Sequence, residues 1–293
     1  MNPSSAIGPA LLRDMPLPAL SAASDKEERG RVLVVAGGGA IPGAAILTGL
    51  AALRVGAGKL QLAATECCAI ALGVAVPEAR IISTTSNGGE ITYSDELGLA
   101  ASRSDVVVIG PGMMEADGLD ELIDQLFAST GPAAFVVDAA AMAKLAKDRT
   151  AVRRAAGRMI LTPHAGEMAA LLGCSKSEVL DDLAGAARVV AGDLQAVVVI
   201  KTDETFVVTP DGRAWRHADG PAGLGTSGSG DVLAGVIGGL VARGAAPAVA
   251  AVWGVWLHAR AGVRLSTSVG PLGFLARELL AELPGALEDV WLT

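Results

Sequence analysis

The sequence predicts an α/β fold: a central, mostly parallel sheet with helices on both faces. Three observations carry this. Short continuous apolar runs, such as 31–36 (RVLVVA), 105–109 (DVVVI) and 196–200 (AVVVI), read as strands buried on both faces. Helical stretches separate these runs, so successive strands run parallel through crossovers. Glycine or polar residues close nearly every run, which is where a ligand lies in such sheets.

Taken in order, residues 1–29 are rich in Pro, Ser and charge and read as an arm or first capping segment. The strand 31–36 ends in Gly37-Gly38-Gly39, a helix covers 43–55, and Gly56-Ala57-Gly58 stops it before a strand at 59–64. Further strands are expected at 79–83, 105–109, 133–137, 158–161 and 196–200. Helices are expected at 119–128, 139–147, 166–172 and 178–191. Residues 205–209 and 213–217 flank Asp211-Gly212 and form an antiparallel hairpin at a sheet edge. From Asp231 onward the chain is nearly all helix, with breaks near Gly244–Pro247 and Gly270-Pro271. No linker follows residue 29 and no repeat is present, so a single domain is expected over 1–293, with 1–29 its N-terminal arm.

The chain has 293 residues, of which 51% are hydrophobic, ample for a large core. Aromatics are only 3%, so Ala, Val, Leu and Ile must build it. A net charge of −8 argues against nucleic acid or an anionic membrane as partner, while leaving room for a nucleotide held by local amides. Cys67, Cys68 and Cys174 give neither a CxxC pair nor zinc spacing, and read as buried or partly buried free thiols. No signal peptide and no membrane span is recognisable, so a soluble, cytoplasmic protein is expected.

The stretch 220–243, GPAGLGTSGSGDVLAGVIGGLVAR, concentrates the chemistry. Glycines interleaved with Thr226, Ser227 and Ser229 feed a helix N-terminus, where free amides and the helix dipole favour an anion. Asp231 is open between a helix cap and a general base beside a bound phosphate. The strand ends supply Gly37-Gly38-Gly39, Gly110-Pro111-Gly112, Asp138, Thr162-Pro163-His164 and Lys201. Each has a plain reading: tight turns for the glycines, a cap at 139 for Asp138, a capping box with Thr162 or His164 for Glu167. Lys201, ending a buried strand beside Thr202 and Asp203, can reach a phosphate. As a set they suit phosphoryl chemistry with Asp231 as base, which favours the catalytic reading. His217 and His258 carry no motif. No dinucleotide fingerprint, HExxH or Walker loop is present, and any metal would be Mg²⁺ brought by a nucleotide and held by few carboxylates.

GSGDVLAG behind an alternating sheet resembles the ribokinase-like fold. RVLVVAGGG, GAAILTGLAALRVGAG, VVIGPGM, VVDAAAM, ILTPHAGEMAALLG, VVVIKTDET and TSGSGDVLAGVIGGLVARG together resemble the ADP-dependent NAD(P)H-hydrate dehydratases, from about residue 26 to the C-terminus. TPHxGE combined with the GxGD loop is the specific part. The resemblance implies removal of water from the S epimer of hydrated NADH or NADPH (NADHX, NADPHX), with ADP converted to AMP and phosphate and ATP a further possible donor. It implies that Asp231 activates the hydroxyl and that Gly228, Ser229 and Gly230 hold the transferred phosphate. Lys201, Thr202, Asp203, Glu204, Thr205 and Gly230 would contact the nucleotide. Ala44, Gly112, His164 and Asp231 would contact the hydrate. It also implies Mg²⁺, a homotetramer, and pairing with a separate epimerase, since this looks like the stand-alone form. The chain departs from the pattern at Thr202, Ala140, Ala165 and Gly220–Leu224, while the loop and Asp231 are intact.

Two other readings use the same loop: an ATP-dependent kinase of a small alcohol of the thiamine-precursor type, and a non-catalytic nucleotide-binding protein. TPHAGE opposes the first and the intact Asp231 the second. A dinucleotide oxidoreductase is opposed by the missing GxGxxG.

Overall fold

The computed structural model describes residues 4–19, 25–129, 131, 133–149 and 155–292. The chain opens with β1 (Ser5–Ala6), α1 (Pro9–Asp14), β2 (Arg31–Val35), α2 (Gly43–Arg54), β3 (Lys59–Thr65), α3 (Glu66–Ala75) and β4 (Ala79–Thr84). A small hairpin, β5 (Ser86–Asn87) and β6 (Glu90–Ile91), leads to α4 (Asp95–Ser102), β7 (Val106–Ile109), α5 (Leu119–Ser129), β8 (Ala134–Val137), α6 (Ala141–Lys147) and β9 (Met159–Leu161). Next come α7 (Ala165–Leu172), α8 (Lys176–Asp181), α9 (Leu183–Leu194), β10 (Val197–Lys201), β11 (Thr205–Val208) and β12 (Ala214–His217). Three helices finish the chain: α10 (Ser229–Ala242), α11 (Pro247–Ser268) and α12 (Ala276–Leu292).

Among the described residues, ten strands form one sheet in the order β1-β12-β11-β10-β9-β8-β7-β2-β3-β4. Only β11 runs against the rest, pairing antiparallel with β10 and β12. The strand period of two divides the core between the faces. Val32, Val34, Val106 and Val108 face α10 and its neighbours, whereas Leu33, Val35, Val107 and Ile109 face the layer containing α5, α7 and α9.

The hairpin expected at the sheet edge sits one strand in from it. The arm supplies the outermost strand: β1 pairs parallel with β12, and the Ile7 amide donates to the Arg216 carbonyl at 2.8 Å. This occupies backbone groups that β12 would otherwise leave unpaired. Other differences have local causes. The helix expected over 139–147 starts at Ala141, because Ala139 takes φ 49°, outside the helical region. The helix expected over 178–191 is two, broken at Asp182, whose carboxylate accepts from the Gly185 amide and caps the second. α3, α4 and the β5–β6 hairpin add to the expected elements; Ser94 caps α4, its side chain accepting from the Leu97 amide. Cys67 is exposed, not buried, in the first turn of α3. Among the described residues no helix is long and apolar enough to cross a membrane.

Every residue of α10 from Val232 to Ala242 is buried. A Cβ on Gly235 would lie 2.1 Å from the Thr48 carbonyl oxygen on α2, so the two backbones touch there. The loop before α10 is thereby carried to the rim where the parallel strands end. Gly235→Ala should lower stability by about 1–3 kcal/mol, since overpacking against backbone outweighs the helix-propensity gain of about 1 kcal/mol. Gly192→Ala, on an exposed face of α9 with no atom near the added carbon, should raise stability by up to about 1 kcal/mol. Urea unfolding midpoints of both variants check the pair.

Candidate active site

Parallel strands deliver their C-terminal residues to one rim. Backbone bonds continue the ladder past the strands: Asp138 N to Ile109 O (3.0 Å), Thr162 N to Val137 O (3.2 Å) and Lys201 N to Pro163 O (2.9 Å). The strand-end residues therefore stand side by side. Asp138 is 3% exposed and is no helix cap. Its Oδ1 accepts from Thr162 Oγ1 at 2.5 Å and from Lys201 Nζ at 2.8 Å. Lys201 Nζ lies 3.3 Å from where a Cβ on Gly230 would stand, so the ammonium abuts the glycine loop.

Asp231 is the third residue of α10; Gly228, at φ 87°, is the N-cap. The carboxylate is not a capping group. Burial, and then the charge of Asp138, push its pKa up to about 6, against the pull of Lys201. A carboxylate so placed is poised to take a proton near neutrality. The Thr48 hydroxyl donates to the Asp231 carbonyl at 3.2 Å, which ties this turn to α2. The Ser229 amide turns inward to the Thr226 carbonyl at 3.2 Å, so Ser229 offers its hydroxyl and not its N–H.

A cavity of about 730 Å³ lies against Lys201, Thr202, Asp203, Thr205, Ser229 and Gly230. Glu204 does not share it: its carboxylate is paired with Arg216, whose Nε donates at 2.7 Å. A second cavity of about 400 Å³ lies against Met113, Met114, Ala140 and Glu167. His164 borders both. The box read from TPHAGE is present in its His164 form: His164 Nδ1 accepts from the Gly166 and Glu167 amides, and the Glu167 carboxylate accepts from the His164 amide. With Nδ1 an acceptor, neutral His164 carries its proton on Nε2. Burial raises the Glu167 pKa. Ala44 and Gly112 pack against each other and line neither of these two cavities; Ala44 is buried in α2, and Gly112 precedes Met113 of the smaller cavity. A Cβ on Gly112, at φ 65°, would lie 2.3 Å from that of Ala44, so only glycine fits.

Two histidines without a motif line the site as well. His258 and His217 both border the larger cavity, and His258 Nε2 is 2.9 Å from Ser229 Oγ. The available signal was a single imidazole within the apolar run of α11, VWGVWLHARAG. Glu90, 6% exposed, has a buried Oε2 without a hydrogen-bond partner and packs on Gly38; burial raises its pKa. Among the described residues no cluster of three or more His, Cys, Asp or Glu could hold a metal ion.

The Asp231 shift has a stability consequence. Its folded pKa lies above the ordinary carboxylate value, so ionisation above pH 6 costs folding energy and protonation below pH 4 removes that cost. Asp231→Asn should therefore be more stable than the parent at pH 8, by about 3 kcal/mol. The difference should vanish near pH 4. Unfolding midpoints across that range check it.

A model of the NAD(P)H-hydrate dehydratase family matches residues 32–285. An ADP-dependent (S)-NAD(P)H-hydrate dehydratase of Xanthomonas campestris pv. campestris is 45% identical over 95% of this chain and 94% of its own length. The crystal structure of the ADP/ATP-dependent NAD(P)H-hydrate dehydratase of Bacillus subtilis, co-crystallised with ATP and Mg²⁺, superposes with TM-score 0.82 at 27% identity, covering 99% of both chains. A ribokinase-like superfamily protein of Enterococcus faecalis matches with TM-score 0.85 at 21% identity over 99% of this chain and 97% of its own, which speaks to fold alone. The family match over 32–285 and the 45% identity along nearly the whole chain agree with the glycine loop feeding α10: this chain belongs to the NAD(P)H-hydrate dehydratase family.

Proposed function

We propose that this chain dehydrates the S epimer of NADHX and NADPHX back to NADH and NADPH, consuming ADP and releasing AMP and phosphate. One observation carries the reading: a carboxylate with a pKa of about 6, Asp231, stands at the anion-binding end of α10 beside the Lys201 ammonium. Asp231 takes the proton of the substrate hydroxyl as its oxygen bonds to the terminal phosphorus of ADP. The bond from that phosphorus to the bridging oxygen breaks, and AMP leaves. Phosphate then departs from the ring carbon, and loss of a proton from the neighbouring carbon forms the double bond of the reduced nicotinamide. Lys201 and the amides of Gly230 and Asp231 stabilise phosphoryl charge. The larger cavity takes the nucleotide through Lys201, Thr202, Asp203, Thr205 and Gly230. Glu204 shapes that turn through its carbonyl, which accepts from the Thr202 hydroxyl at 2.7 Å. His164 faces both ligands, and Ala44 and Gly112 form the wall toward the hydrate.

Asp138 and Asp231 repel each other, and Lys201 only partly offsets this; a divalent cation relieves such a charge pattern. Mg²⁺ carried by the nucleotide would suit these residues: the Asp138 carboxylate would hold it, and its charge would neutralise the phosphates while Asp231 stays free to act as base. The reading extends to one domain over 1–293, a cytoplasmic homotetramer, and an epimerase on a separate chain that supplies the S epimer.

Purified protein with ADP should restore the near-ultraviolet absorbance of the reduced nicotinamide from S-hydrated NADH or NADPH. No recovery with ADP or ATP sinks the reading, and a stable phosphorylated product replaces it with a kinase. Asp231→Asn should keep ADP binding near normal while cutting turnover by about 10²-fold or more. Activity should rise with pH through about 6 as the base ionises. Asp138→Asn removes a charge that raises this pKa, so the limb in kcat/KM should move to lower pH.

A further inference from the structure

His258 lies on α11, outside every motif the proposed reaction uses. Its Nε2 is 2.9 Å from Ser229 Oγ and 3.0 Å from the Ser229 carbonyl oxygen. A carbonyl oxygen only accepts, so Nε2 must carry the proton. The imidazole is neutral: burial, followed by the charges of Lys201 and His217, holds its pKa down to about 4 against the Ser229 bond. The single Nε2–H is thus shared between the two Ser229 oxygens, and Ser229 Oγ is an acceptor in that contact. The hydroxyl keeps its own proton to donate elsewhere. The Ser229 amide is already spent on Thr226, so this proton is all that Ser229 can offer an anion.

Resting on the phosphoryl-transfer reading of the glycine loop, we propose that His258 is a positioning residue that fixes the Ser229 hydroxyl as a hydrogen-bond donor to the terminal phosphoryl group of a bound nucleoside diphosphate. Ser229 is 4% exposed, and both residues border the cavity assigned to the nucleotide. A hydroxyl whose orientation is set beforehand needs no reorganisation as charge develops on the transferred group. Without the imidazole, the hydroxyl can turn to a neighbouring carbonyl and be lost to the phosphate.

The test compares His258→Leu, His258→Gln, Ser229→Ala and the His258→Leu/Ser229→Ala double variant, each checked for a native thermal transition. The first readout is the ratio of ADP to AMP affinity by calorimetry, which requires no turnover. His258→Leu and Ser229→Ala should each lower that ratio about tenfold, through ADP alone, the size expected for one hydrogen bond to a charged group. His258→Gln, whose amide nitrogen reaches the place of Nε2, should restore most of it. The double variant should be no worse than Ser229→Ala, because both act through one hydroxyl. In turnover, kcat should fall while KM for the hydrate holds. Additive losses, a Gln variant as impaired as Leu, an equal loss of AMP affinity, or a parent protein that binds ADP no better than AMP would each overturn the proposal. A parent that binds ADP normally but restores no NADH or NADPH overturns the dehydratase reading instead, and the affinity ratio still decides His258.

Discussion

The site depends on how closely α10 approaches α2. Gly235 brings its backbone against the Thr48 carbonyl, and Gly239 does the same one turn later at Ala52. A side chain larger than hydrogen would separate the helices by more than an ångström. The first turn of α10 would then leave the rim, and with it Asp231. Backbone packing far inside the protein therefore sets the distance between the base and the strand ends. The Thr48 hydroxyl, bonded to the Asp231 carbonyl, marks where this packing meets the site.

Electrostatics supply the second layer. Lys201 is shared: it is bonded to Asp138 at 2.8 Å and faces Gly230 and Asp231. Asp138 holds the ammonium in place and also repels Asp231, which raises the pKa of the base. One buried carboxylate thus orients the cation and tunes the neighbouring acid. Thr162 completes the arrangement by donating to the same Asp138 oxygen. Removing Asp138, Lys201 or Asp231 changes the charge seen by the other two, so these residues act as a unit.

Features set by neighbours in sequence were legible without coordinates. The His164–Glu167 box spans three residues, and the glycine loop runs straight into its helix. The strand runs were readable because a strand buried on both faces is a simple apolar stretch. α3 was harder, since ECCAIALGVA lacks the polar face that marks a surface helix. The edge position of β1 was also hidden. Two residues carry no pattern, and their pairing with β12 joins segments about 210 positions apart. The burial of α10 was equally hidden, because it is α2 and the sheet, distant in sequence, that cover it.

Residue order alone specifies the alternating architecture, the rim on which ligands lie, and a short set of polar residues at that rim. Hydrophobic period and turn chemistry are local, so they survive without a fold. The tertiary structure decided what each of those residues does. Asp138 turned from a possible helix cap into the partner of Lys201, 63 positions away. Asp231 turned from cap or base into a half-buried acid near pKa 6. His258, which carried no motif, came to stand 2.9 Å from Ser229 across 29 positions. The reason is physical: a pKa or a hydroxyl's orientation is set by charges and dipoles a few ångströms away, and only the folded chain fixes which groups those are.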